Sequence, residues 1–274
     1  MSVLGKISLK GKVSIDRLPR VLAAVAHPDD IEFMMAGTLL LLKQAGAEIH
    51  MWNLANGSCG SARYSKEEII RLRAQEAQNA ARVAGATLYP ALFDDLAIFH
   101  DAPSLARVAA VVREIQPTIV LTQSPQDYME DHQNACRLIV SAAFARGMPN
   151  FAAIPAQPPY DAPVAVYHAM PAGLCDNLRH PVAPDIYVNI AEVLAVKRRM
   201  LAEHRTQKEW LDVSQGMDAY LTEMETLSRE VGRMSGCFLY AEGWRRHSHL
   251  GFGPVDFNPL SELLGGNYHA TTNQ

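Results

Sequence analysis

The residues of this chain best suited to chemistry are His27, Asp29 and Asp30, in the segment Ala26-His27-Pro28-Asp29-Asp30-Ile31-Glu32. Imidazole nitrogen and carboxylate oxygen both ligate zinc. His27 and Asp30 stand three residues apart in a turn that leaves an apolar strand, so one turn can aim both at a single point. A catalytic zinc takes three protein ligands and keeps a place for water, whose proton then leaves near neutral pH. Asp29, between the two ligands, is placed to accept that proton as a general base. The same spacing has a plainer use, because Asp29 and Asp30 are also good N-cap residues for the helix that follows. Spacing alone leaves both assignments open.

The elements around this segment say where it sits. Residues 20–26, Arg-Val-Leu-Ala-Ala-Val-Ala, read as a short buried strand stopped by His-Pro. Helical apolar spacing then runs from Glu32 to Gln44 and ends near Gly46. A second strand is expected at Ile49–Leu54, followed by the turn-rich Asn56–Ser61. Ser65-Lys66-Glu67-Glu68 has capping-box spacing and opens a helix to about Val83. Further strands are expected near Leu88–Phe93, Thr118–Thr122, Val164–Ala169 and Ile186–Val188. Further helices are expected at Ser104–Ile115, His132–Ala145, Ala191–Glu203 and about Gln215–Val231.

Strand alternating with helix argues for a mostly parallel sheet with helices on both faces, a doubly wound, Rossmann-like α/β fold. Ligands of such sheets bind beyond the carboxyl ends of the strands. His27–Asp30, Asn56–Ser61 and Ser124–His132 all fall at those ends. Pro155–Pro163 reads as an extended loop. Residues 1–18 read as an N-terminal extension of a single domain spanning 1–274, and the tail from Gly265 as mobile or docked on a neighbour.

Composition narrows the classes. About half of the 274 residues are apolar (49%), enough for a substantial core without disulfides. A net charge of −4, with both signs mixed along the chain, gives no support to nucleic-acid or anionic-membrane binding. No apolar run approaches a bilayer span, and the N-terminus carries no secretory pattern. The four cysteines, at 59, 136, 175 and 237, lack metal-knuckle or CxxC spacing. They read as reduced thiols of a cytoplasmic protein, which leaves His and carboxylate to hold any metal.

Ala26-His27-Pro28-Asp29-Asp30-Ile31-Glu32 resembles the AHPDDxE signature of the LmbE-like, or PIG-L-like, zinc-dependent N-deacetylase family, and Gly37-Thr38 with its helix also fits. The resemblance implies a Rossmann-like fold and removal of an N-acetyl group. The family's substrates include N-acetylglucosaminyl lipids, glucosaminyl thiol precursors and chito-oligosaccharides. It implies His27 and Asp30 as metal ligands, Asp29 as general base, and Glu32 as support from behind. A second family motif, His-Pro-Asp-His, matches Met129-Glu130-Asp131-His132, which implies His132 as the third ligand.

The first His of that motif is Met129 here, and a thioether can neither donate a proton nor hold positive charge. Tyr128 is the nearest candidate donor, with a packed loop aromatic as its plainer reading. Asp131 is counted with the catalytic groups as one that orients a neighbour. Arg73, in Arg73-Ala74-Gln75-Glu76-Ala77, resembles the family's Arg-x-x-Glu-Ala helix, which implies substrate binding or orientation of Asp29. Asp94-Asp95 and His168 are weaker candidates for the pocket. His204-Arg205-Thr206-Gln207 resembles a stretch near the family's substrate entrance, and Ala241-Glu242 its C-terminal segment.

The expected function is therefore hydrolysis of an N-acetylated amino sugar or its conjugate, with Zn2+ as cofactor and Fe2+ or Co2+ as alternatives. The family also implies a homo-oligomer, a trimer or hexamer. Met129 motivates the rival, a sugar-binding or regulatory protein that keeps the metal without turnover. A nucleotide-binding reading fails because the first strand runs into His-Pro-Asp-Asp and no Gly-rich phosphate loop.

Overall fold

The computed structural model describes residues 18–208 and 219–271. The strands are β1 (Arg20–Val25), β2 (Glu48–Asn53), β3 (Thr87–Tyr89), β4 (Ile119–Thr122), β5 (Ala165–Ala169), β6 (Ile186–Asn189), β7 (Ala241–Arg246) and β8 (Tyr268–Ala270). They form one sheet in the order β3-β2-β1-β4-β5-β7-β6-β8. The first five in chain order are mutually parallel, while β7, β6 and β8 add on antiparallel to their neighbours. The α/β, largely parallel sheet expected from the sequence is thus present, extended by an antiparallel edge.

The helices are α1 (Asp30–Met34), α2 (Ala36–Gln44), α3 (Lys66–Ala84), α4 (Ala102–Ile115), α5 (Glu130–Phe144), α6 (Leu194–Ala202), α7 (Ala219–Ser235) and α8 (Pro259–Leu264). Side chains alternate along β1, so Val21, Ala23 and Val25 join one apolar cluster with α1, α2 and α6. Leu22 and Ala24 join the other, with α4 and α5. Both faces are covered, and the strands are apolar throughout for that reason. Among the described residues, no helix is long and apolar enough to cross a membrane.

The chain moves outward from β1 to β2 and β3, then returns to place β4 on the other flank of β1. β1 and β4 therefore bracket the point where strand order reverses, where open α/β sheets bind their ligands. The loops after these two strands carry His27–Asp30 and Ser124–Met129.

Three expectations change. The single helix over Glu32–Gln44 is two, broken at Met35 (φ −144°, ψ −3°). The cause lies far away in sequence. Glu242 of β7 accepts the N–H groups of Gly37 (2.8 Å) and Thr38 (2.7 Å), so α2 needs an N-terminus of its own there. Gly37 is required by the same approach, since a Cβ would come within 2.6 Å of Ile190 Cγ2. Lys197 Nζ closes the arrangement on Glu242 at 2.6 Å.

The tail from Gly265 is the second change. Tyr268–Ala270 is a strand paired with β6, and Asn258 Nδ2 donates to the Tyr268 hydroxyl at 3.1 Å. The third is β7, whose residues Ala241–Arg246 carry no clear alternation. The N-terminal extension, through residue 17, and residues 215–218 of the expected late helix lie outside the described residues.

Candidate metal centre

Three side chains meet at the carboxyl ends of β1 and β4. One ligand atom from each of His27, Asp30 and His132 lies within 4.8 Å of the other two. His27 sits in the turn after β1, Asp30 opens α1, and His132 lies in the first turn of α5. The rings of His27 and His132 stand 5.4 Å apart.

Each group is held by one atom and leaves another for the centre. His27 Nε2 is 3.0 Å from Asp131 Oδ2, which leaves Nδ1 on the Asp30 side, 3.6 Å from Asp30 Oδ2. His132 Nδ1 is 3.0 Å from Asp127 Oδ1, which leaves Nε2 facing Asp30 Oδ1 at 3.5 Å. Asp30 Oδ2 accepts the His27 backbone N–H (2.8 Å) and Gln123 Nε2 (3.0 Å), leaving Oδ1 toward His132. A carboxylate behind each imidazole fixes its tautomer and orientation, the usual support of a metal-binding histidine.

The electrostatics suit a cation. Burial works against charge on His27, yet hydrogen bonds to Asp131 and Asp30 push its pKa up to about 10. Burial likewise opposes charge on His132, but Asp30 and Asp127 raise it. Burial alone would raise Asp30, and the His132 and His27 rings with the His27 N–H hold it well below the ordinary carboxylate range. Carboxylates outnumber fixed cations here, and a divalent ion on two imidazoles and a carboxylate satisfies that field. The donor set fits a metal.

Asp29 stands beside the three at φ 103°, a left-handed conformation costly for any residue but glycine. Its carboxylate caps nothing: α1 has no side-chain cap hydrogen bond. Instead Asp29 Oδ2 accepts from Tyr220 Oη at 2.8 Å and from Arg73 Nη2 at 3.2 Å. Arg73 Nη2 also donates to the Pro28 carbonyl, so one guanidinium braces both backbone and carboxylate of the strained turn. Burial raises the Asp29 pKa against the pull of Arg73. Arg73 itself is 3% exposed. It reaches Asp29 beneath the Asn56–Ser61 loop, where a Cβ at Gly60 would come within 2.5 Å of Arg73 Nη1.

A cleft of about 300 Å³ opens over these groups. His27, Asp29, Asp30, His132 and Arg73 line it, with Cys59, Gly60, Asp95, Leu96, Tyr128, Met129 and Gln207 around them. Tyr128 is 54% exposed, edge-on to His132 at 5.6 Å. Burial and then the nearby Asp30 push its phenol up to about 12. Asp95 takes the N–H groups of Gly57 (2.7 Å) and Cys59 (2.9 Å) and so shapes the rim.

Not every candidate lands in the cleft. Asp131 lies behind His27, 2% exposed, and does not line it. His168 is buried on β5 against the Gln123 carbonyl and His247, outside the lining. His204 is wholly buried, its Nε2 3.3 Å from Glu32, while Gln207 supplies the lining residue of that stretch. The residues not anticipated are Asp127, Gln123 and Tyr220. Asp127 stood in the Ser124–His132 loop already singled out, whereas nothing in the pattern marks Tyr220.

Residues 22–144 match the family profile described as "PIG-L: GlcNAc-PI de-N-acetylase". They are a PIG-L domain. It contains His27, Asp29, Asp30, Arg73 and His132, whereas Tyr220 lies beyond the matched residues. A diacetylchitobiose deacetylase of Thermococcus kodakarensis is 27% identical over 253 residues, 89% of each chain. Solved structures share the fold around the PIG-L domain. An N,N'-diacetylchitobiose deacetylase from Pyrococcus horikoshii superposes with a TM-score of 0.71 at 22% identity, covering 88% of both chains. A 4-carboxy-2-hydroxymuconate hydratase from Pseudomonas putida gives 0.69 at 23% identity, covering 84% of this chain and 97% of its own.

Proposed function

We propose that this chain is a zinc-dependent N-deacetylase that hydrolyses the acetamide of an amino sugar or its conjugate. The observation that carries the reading is the grouping of His27, Asp30 and His132 ligand atoms beside a carboxylate, Asp29, braced on one oxygen. When bound there, a zinc ion supplies Lewis acidity toward the acyl oxygen and lowers the pKa of water.

The chain's own groups do the rest. Asp29 presents Oδ1 to the cleft, takes the water's proton, and returns it to the departing amine. Tyr220 and Arg73 keep Oδ2 fixed, so the acceptor oxygen is defined before substrate arrives. Asp131 orients His27, and Asp127 orients His132. Tyr128 supplies the donor that Met129 lacks. Its phenol stays protonated through the neutral range and can hydrogen-bond the acyl oxygen. Four free cysteines, Cys59 and Cys237 exposed, suit a reducing compartment, and the reading places the protein in the cytoplasm.

The hydratase sharing this fold suggests another chemistry, and charge speaks against it here. A carboxymuconate is a polyanion and needs cationic partners. Among the described residues, the only arginine lining the cleft is committed to Asp29 and Pro28, and no lysine lines it. A neutral acetamide suits that lining better.

The test is acetate release from N-acetylglucosamine, N,N'-diacetylchitobiose and an N-acetylglucosaminyl conjugate, on protein of determined metal content. Metal-dependent release supports the reading. A protein that holds metal, binds these sugars and releases no acetate from any of them is the non-hydrolytic rival that Met129 suggests.

A further inference from the structure

The cleft is divided by chemistry, and the division follows the site's two sides. On one side Asp29 touches Arg73, Arg73 runs beneath Gly60, and Gln207 Nε2 donates to the Gly60 carbonyl at 2.8 Å. The side-chain and backbone groups in this chain of contacts are polar. On the other side, next to the histidines, stand Leu96, Tyr128 and Met129. Tyr128 packs edge-on to His132, and Leu96 N–H donates at 2.7 Å to Asp131 Oδ2, the oxygen that also holds His27.

Leu96 is the telling residue. It is 69% exposed, and its φ of 63° is a left-handed conformation that disfavours a branched side chain. A large apolar group held in a strained conformation and turned to water gains nothing for folding. Such outliers gather at ligand clamps. Tyr128, also more than half exposed, gives the same wall a second apolar surface, and the Met129 thioether a third.

The reaction fixes which part of a substrate meets which wall. Asp29 returns a proton to the departing amine, so the amine and its sugar must lie on the Asp29 side, against polar groups. The acyl substituent then points the other way. We propose that the Leu96–Tyr128–Met129 wall is an acyl subsite, and that the preferred substrates carry an apolar N-acyl chain longer than acetyl. This rests on the hydrolase reading above and adds the acyl class to it. The bond broken is the same amide C–N bond; water's oxygen joins the acyl carbon and its protons end on the amine and the carboxylate product.

The experiment compares kcat/KM for N-acetyl-, N-butyryl- and N-hexanoylglucosamine, in the native protein and in Leu96→Asn. Asparagine tolerates the left-handed conformation, so this variant keeps the backbone while removing the apolar surface. Each fully buried methylene contributes about fourfold, so partial burial of the chain predicts at least about tenfold preference for hexanoyl over acetyl. In Leu96→Asn that preference should fall by about fivefold or more. The same order is expected in the Kd values of the two ligands for metal-loaded Asp29→Asn protein, where turnover is strongly slowed.

Hydrolysis that favours acetyl over hexanoyl overturns the acyl subsite and leaves the hydrolase reading standing. A hexanoyl preference that Leu96→Asn does not reduce overturns the assignment to this wall. No hydrolysis of any of the three, with metal bound, overturns the hydrolase reading itself.

Discussion

Tyr220 donates a 2.8 Å hydrogen bond to Asp29 Oδ2 across 191 positions of sequence, from a helix outside the PIG-L domain. The phenol is buried, 3% exposed, and burial together with Asp29 keeps it protonated well above its ordinary range. With Arg73 on the same oxygen, one carboxylate oxygen of Asp29 carries both bonds, and the residue lines the cleft. The strained turn that carries Asp29 is thereby held from two directions.

Tyr220→Phe removes one of the two donors and no bulk. A hydrogen bond to a charged acceptor contributes about 1.5–3 kcal/mol. If it positions Asp29, kcat should fall about ten- to hundredfold, while KM and bound metal stay near native. Steady-state kinetics with metal analysis checks this. A variant with native kcat removes Tyr220 from the machinery.

Asp29→Asn keeps the shape of the side chain and removes the basic oxygen. Metal content should be unchanged, because the proposed ligand atoms are those of His27, Asp30 and His132. Activity should drop by about 10²–10⁴, the usual contribution of general base catalysis. Acetate release at near-native rate would show that another group takes the proton.

The third prediction concerns Asp127, which is 1% exposed and 3.0 Å from His132 Nδ1. Losing the carboxylate behind a metal-binding histidine typically weakens metal binding about 10–100-fold. Asp127→Ala should do so in a chelator competition, with His132→Ala weaker still. Equal affinity in native and Asp127→Ala protein would mean His132 is not a ligand. Thermal unfolding of the metal-free forms separates this effect from a folding defect.

Local signals made much of this legible. The apolar run stopped by His27-Pro28, the Ser65–Glu68 capping box and the alternation of strands and helices each act within a few residues, so the parallel core and its carboxyl-end loops could be placed. The box is present, with Ser65 and Glu68 bonded reciprocally. The motif residues His27, Asp30 and His132 converge because β1 and β4 are adjacent.

What escaped depends on distant pairing. The break between α1 and α2 is made by Glu242, the brace on Asp29 by Tyr220, and β8 exists only because β6 offers it an edge. The capping reading of Asp29 was open in sequence for the same reason. Only the fold decides whether a carboxylate turns to its own helix or to a tyrosine nearly two hundred residues away.

The last prediction tests a buried histidine that the site does not use. His168 Nδ1 donates to the Gln123 carbonyl at 3.0 Å, so the neutral ring's Nε2 accepts from His247 Nδ1, also at 3.0 Å. Cys136 Sγ lies 3.4 Å from Nδ1, and Arg245 adds positive charge nearby. No carboxylate faces the ring in these contacts. Burial therefore dominates and lowers the His168 pKa from 6.5 to about 4. Because the unfolded chain binds this proton more readily, the neutral ring stabilises the fold fully above pH 6.5. That contribution is lost as pH falls toward about 4. At 1.36 kcal/mol per unit, the full loss is about 3 kcal/mol. His168→Gln cannot titrate, so its thermal stability should fall less between pH 7 and pH 4.5 than that of the native protein. Parallel acid profiles of the two proteins would mean that His168 is already protonated in the fold, against the burial that surrounds it.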